Sequence, residues 1–96
     1  MEKHPAVYIM ANERNGAIYT GVASNLAQRV YQHHEGSTDG FTRRYNCKVL
    51  VYFELLGTMI DAIEREKQIK AGSRKKKLAL IEATNPTSRD LYFDLS

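Results

Sequence analysis

Ala17-Ile18-Tyr19-Thr20-Gly21-Val22-Ala23-Ser24-Asn25-Leu26-Ala27-Gln28-Arg29-Val30-Tyr31-Gln32-His33-His34 is the stretch that decides the fold. Ile18-Tyr19-Thr20 is β-branched and aromatic and predicts a strand. Gly21 ends that run, and Ser24 or Asn25 offers a side-chain oxygen to cap a helix. In that helix Leu26 and Val30 stand one turn apart, as do Arg29 and His33, and the two pairs lie on adjoining faces. A guanidinium and an imidazole are thereby set beside the buried edge, facing back to the Tyr19 phenol. The same spacing also suits a solvated Arg29, with His33 and His34 answering the negative end of the helix dipole.

Upstream, Ala6-Val7-Tyr8-Ile9-Met10 is a compact apolar run, and Asn15-Gly16 supplies residues that tolerate positive φ in a turn. The first two strands are therefore expected to pair antiparallel. Whether Tyr8 and Tyr19 share a face depends on a register that the loop leaves open. Downstream, Phe41-Thr42-Arg43-Arg44-Tyr45 ends a Gly- and Ser-containing loop. Its arginines suit phosphate and its aromatics suit an unpaired base, although aromatics that pin a loop beside solvated arginines would look the same. Val49-Leu50-Val51-Tyr52-Phe53 is apolar on both sides. It predicts a strand in the middle of a sheet, or one covered by helices on one face and partly by loops on the other.

Gly57 closes that strand, and Thr58 with Asp61 resembles a capping box opening a second helix. A period of 3.6 places Met59, Ala62, Ile63 and Ile69 on one stripe, with Ile60 at its margin and Glu66 at its centre. An ionised carboxylate aimed at a core is costly unless paired or holding a metal. Lys70, one turn on, is one such partner, and a divalent cation is another. Ser73 caps a third helix whose first turn, Arg74-Lys75-Lys76-Lys77, opposes the helix dipole. Phosphates would suit this run, as would plain solvation. Asn85-Pro86 ends the helix, and the aromatics of Leu91-Tyr92-Phe93 are expected to dock on the body.

The 96 residues suffice for one domain, spanning 1–96. With 43% hydrophobic and 26% charged residues, the composition is that of an ordinary globular protein. The net charge of +3 is compatible with an anionic partner. Cys47 is the single cysteine, so no intramolecular disulfide forms, which suits a reducing cytoplasm; it reads as a small core residue. No run approaches the ~20 apolar residues needed to cross a bilayer, so a cytoplasmic protein with no membrane partner is expected.

Taken together, Val7-Tyr8-Ile9, Tyr19-Thr20-Gly21, Arg29 with His33, Glu66 on a helix and the late Asn85 resemble the GIY-YIG nuclease superfamily. The small single-domain bacterial branch, related to the amino-terminal nuclease domain of the DNA-repair excinuclease C subunit, is the most similar. Arg65-Glu66-Lys67-Gln68-Ile69-Lys70 carries much of that likeness. The resemblance implies an α+β fold, a small three-stranded antiparallel sheet flanked by helices. It also implies an endonuclease acting on DNA with a divalent cation, Mg2+ or alternatively Mn2+. Tyr8 and Tyr19 would sit beside the attacking water, with Tyr19 as base or relay. Arg29 would stabilise the phosphate, His33 would assist proton transfer, Glu66 would hold the metal and Asn85 would support the site from behind. Arg43, Arg44, Tyr45, Lys70, Arg74, Lys75, Lys76 and Lys77 would bind nucleic acid. The chain departs from the pattern at Ala6, where a glycine is usual, at Thr20, and at Val22, where repair members often carry a lysine. The alternative is a nucleic-acid-binding or adaptor module that keeps the fold with little or no catalysis.

Overall fold

Ala6–Ala11 (β1), buried along its whole length, is the central strand of a three-stranded antiparallel sheet in the computed structural model, which describes residues 4–12, 16–36, 40 and 44–95. β2 (Ile18–Ala23) lies on one side and β3 (Val49–Leu55) on the other. The antiparallel hairpin is as expected; Asn15 of its turn, like Phe41, Thr42 and Arg43, falls outside the described residues. Of the two readings of the two-sided apolar strand β3, the covered strand holds and the central one does not: β3 is an edge. Its composition reflects cover on both faces, while β1 takes the centre because every one of its side chains is buried.

The faces of β1 alternate cleanly. Ala6, Tyr8 and Met10 pack with Leu26 and Val30 of α1 (Leu26–Glu35), and with Leu50 and Leu95. Val7, Ile9 and Ala11 pack with Ile69 of α2 (Met59–Ala71) and Ile81 of α3 (Arg74–Thr84). The register between β1 and β3 shifts between Ile9 and Met10, and Val51 and Tyr52 consequently both join the α2 and α3 side. The α1 side gathers the phenols and the imidazole, and the other side supplies the helix that carries Glu66.

Helix ends follow local chemistry. Asn25, not Ser24, caps α1 by accepting from the Gln28 amide at 3.3 Å, and Gly36, at φ 71°, closes it in the left-handed region. Thr58 Oγ1 accepts from the Asp61 amide at 3.1 Å, and Ser73 Oγ from the Lys76 amide at 3.2 Å.

The stripe of α2 is narrower than its period suggests. Ala62 and Ile69 are buried, but Met59, Ile60 and Ile63 are exposed. Ala62, Glu66 and Ile69 define the line that meets the sheet, and Ile63 lies about 100° round from Ala62. The tail also docks only in part: Leu91 and Tyr92 pack on the core, whereas Phe93 is 76% exposed. Cys47 is buried and points its thiol at the Ala17 carbonyl, 3.7 Å away.

Candidate active site

Tyr8 of β1 stands opposite Gly21 of β2, and Met10 opposite Tyr19. That register settles what the sequence leaves open: Tyr8 and Tyr19 are diagonal neighbours on one face, with ring centroids 6.3 Å apart. The helix that follows β2 brings His33 over the same face, its ring 5.7 Å from Tyr8 and 6.0 Å from Tyr19. The Tyr8 hydroxyl meets His33 Nε2 at 3.0 Å.

Gly21 makes this cluster possible, a role that sequence reasoning misses. It does not end the strand, which continues to Ala23. A Cβ there would stand 2.8 Å from Tyr19 Cε2 and 2.8 Å from the Tyr8 hydroxyl. A glycine inside a strand pattern commonly marks such a close approach, and the sequence carries that signal.

Burial pushes the Tyr8 phenol above its usual value, with Arg29 pulling the other way as hydrogen-bond partner and charge, and the Tyr19 and Glu66 charges adding to the rise. His33 is pushed down to about 4 by burial first, then by Arg29 and His34. It is therefore neutral at pH 7 and buried, not a solvated helix-end cation. The Tyr8 hydroxyl and His33 Nε2 share one hydrogen bond, and the imidazole tautomer sets which of them donates.

Glu66, on α2, is connected to this centre through Lys70. Its side chain is 18% exposed, and its carboxylate pairs with Lys70 Nζ at 3.1 Å. The Lys70 ammonium also sits 6.0 Å from the centre of the Tyr19 ring. Two openings border these groups. One, of about 260 Å³, is lined by Val22, Ser24, Gln28, Arg29, Gln32 and Met59. The other, of about 290 Å³, is lined by Ile18, Tyr19, Thr20, Lys70 and Lys77. A larger cleft of about 370 Å³ between α2 and α3 holds none of the phenols, the imidazole or Glu66.

No group of three His, Cys, Asp or Glu side chains suited to a metal occurs among the described residues. Glu66 nevertheless fits a hard divalent cation. Magnesium is commonly held by one or two carboxylates, with water and phosphate oxygens completing its shell, and Glu66 already receives a cationic partner in Lys70.

Most of the remaining expected residues lie apart from the cluster. Asn85 is buried, but its side chain donates to the carbonyls of Val51 (3.1 Å) and Arg89 (2.8 Å) and accepts from the Arg89 amide (3.2 Å). It ties the end of α3 to β3 and the tail. The Arg44 guanidinium lies over the Tyr45 ring, 5.6 Å from its centre, and both residues are exposed. Arg74 donates to the Gly16 carbonyl. Lys75 and Lys76 are exposed, whereas Lys77 is half-buried in the Tyr19 cleft. No helix among the described residues is long and apolar enough to cross a membrane.

Paired strand tyrosines over a glycine, a helix arginine and histidine, and a helix carboxylate on an α+β fold define a nuclease-like catalytic domain. The chain belongs to the GIY-YIG family: the GIY-YIG catalytic domain matches residues 4–79, a span holding Tyr8, Tyr19, Arg29, His33 and Glu66 but not Asn85. It is 38% identical over 81 residues to UPF0213 protein SSP2268 of Staphylococcus saprophyticus, covering 84% of this chain and 96% of that one. It is also 34% identical over 82 residues to UPF0213 protein SERP0126 of Staphylococcus epidermidis, covering 85% and 98%. The solution NMR structure of UPF0213 protein BH0048 from Bacillus halodurans superposes with a TM-score of 0.53 at 27% identity, covering 84% of this chain and 85% of that one.

Proposed function

We propose that this protein is a divalent-cation-dependent endonuclease that hydrolyses phosphodiester bonds in DNA. The observation that carries the reading is the convergence of Tyr8, Tyr19 and His33 over Gly21, with the Glu66–Lys70 pair reaching the Tyr19 ring through the lysine. Hydrolysis needs a deprotonated water, charge neutralisation at the phosphoryl oxygens and a proton for the leaving oxygen. Tyr19 borders an open cleft and is the phenol that incoming water meets. Its oxygen serves as base or relay for the water proton. Tyr8, fully buried and raised, stays protonated and fixes His33. Arg29, at the other opening, neutralises the phosphate. Glu66 would hold the divalent cation, Mg2+ or Mn2+, which when bound would supply further positive charge to the phosphate.

The second reading, a nucleic-acid-binding or adaptor module, is favoured by the Glu66–Lys70 pair, which already satisfies the carboxylate. The deciding experiment incubates purified protein with Mg2+ or Mn2+ and duplex, single-stranded and branched DNA, beside Glu66→Gln and the control Glu64→Gln. Cleavage by the wild type and Glu64→Gln but not Glu66→Gln, with DNA binding retained, is the expected result. Binding without cleavage of any substrate would leave the binding module.

A further inference from the structure

Within the Glu66–Lys70 pair the two partners differ in freedom. The carboxylate is 18% exposed and the lysine 50% exposed. The acid is held in the wall, and the base arrives on a flexible four-carbon stem. Lysine side chains on a helix reach back toward its N-terminus, so an ammonium at i+4 meets the carboxylate with no change in the backbone. The same ammonium lies 6.0 Å from the Tyr19 ring centre, and Lys70 lines the Tyr19 cleft together with Lys77 of α3. Lys70 thus stands between two places, the carboxylate and the cleft.

We propose that Lys70 is an exchangeable counter-ion: it neutralises Glu66 in the metal-free protein, is displaced when a divalent cation binds there, and then takes a substrate phosphate oxygen in the Tyr19–Lys77 cleft. The inference rests on Glu66 being the cation-holding carboxylate. A divalent cation at the carboxylate repels an ammonium held 3.1 Å from it. Released, Lys70 joins Lys77 in a cleft of about 290 Å³, where two like charges are unfavourable until an anion arrives. Ordering follows: without the cation, one of the two ammonium groups beside Tyr19 is neutralised by Glu66, and with it both face the phosphate.

The exchange makes opposite demands on Lys70 that a merely structural ion pair would not make. Mn2+ binding is measured by titration calorimetry without nucleic acid, on the wild type, Lys70→Met and Glu66→Gln. Binding of a labelled oligonucleotide is measured separately by anisotropy, with Ca2+ as the loading ion. Lys70→Met is expected to bind Mn2+ roughly two- to fivefold tighter, the competition of a partly exposed pair being removed, and to bind the Ca2+-loaded oligonucleotide more weakly. Circular dichroism verifies the fold, which an i,i+4 pair affects little. Unchanged or weaker Mn2+ binding in Lys70→Met, with binding still lost in Glu66→Gln, overturns the exchange alone. Undiminished oligonucleotide binding overturns the transfer to phosphate. Mn2+ binding indifferent to Glu66→Gln overturns the assignment of the carboxylate beneath both.

Discussion

The Tyr8 hydroxyl stands 3.0 Å from Nε2 of His33, joining the central strand to α1 across 25 positions of sequence. Both side chains are buried, and the imidazole is pushed from its ordinary 6.5 to about 4. The unfolded chain therefore takes up a proton near pH 6.5 that the folded chain refuses until about pH 4. Stability from this group is fully present above pH 6.5 and is lost as pH falls toward 4, an effect of as much as about 3 kcal/mol. Urea unfolding between pH 7 and pH 4.5 should show a shallower loss in His33→Gln than in the wild type. Equal slopes would mean that the imidazole is already charged in the fold.

Gly21→Ala should be among the costliest small changes in the chain. The new methyl would overlap Tyr19 Cε2, the Tyr8 hydroxyl and Tyr8 Cζ at 2.8, 2.8 and 2.9 Å, so the rings must move. Overpacking of this kind costs about 1–3 kcal/mol, and near-ultraviolet circular dichroism should change with it. Gly57→Ala is the control, because its Cβ would meet nothing within 4 Å.

Asn85→Ala should lower stability without lowering the cleavage rate of the folded fraction. The substitution leaves the buried Val51 carbonyl without its side-chain donor, and frees the Arg89 amide and carbonyl. One such group left without its partner costs about 1–3 kcal/mol. A fall in rate at unchanged stability would return Asn85 to the catalytic machinery.

The strands and helices were legible because their signals are local: β-branched runs, a Thr58 cap and a Ser73 cap. Strand order was not, since the composition of β3 suits a central strand and an edge strand covered on both faces equally, and the structure shows the latter. The site divides in the same way. Arg29, His33 and Glu66 could be picked out by helical spacing, but the shared face of Tyr8 and Tyr19 needed the register, which a loop does not encode. Of the two alternatives for Glu66, the structure shows the pair with Lys70.

Among the cations of α3, Lys75 and Lys76 are exposed and Lys77 enters the Tyr19 cleft. Lys75→Ala with Lys76→Ala should weaken DNA binding and lower its salt dependence by up to about 0.9 log unit for each phosphate no longer neutralised. The cleavage rate at saturating DNA should hold. An unchanged salt slope would make these two lysines a solvated face.

The two phenols should separate by what their removal changes. Tyr19 is only partly buried and lines the open cleft, so Tyr19→Phe keeps the packed ring and removes the hydroxyl that water meets. Loss of a general base costs about 10²–10⁴-fold in rate, and the melting temperature should scarcely move. Tyr8 is fully buried and hydrogen-bonded to His33. Tyr8→Phe removes the hydroxyl from that buried bond, at a cost of about 1–3 kcal/mol in stability, and slows cleavage chiefly by loosening His33. Single-turnover cleavage and thermal unfolding of both variants test the pair. A Tyr8→Phe protein as stable as the wild type but inactive, beside an active Tyr19→Phe protein, would exchange their roles and place the base on β1.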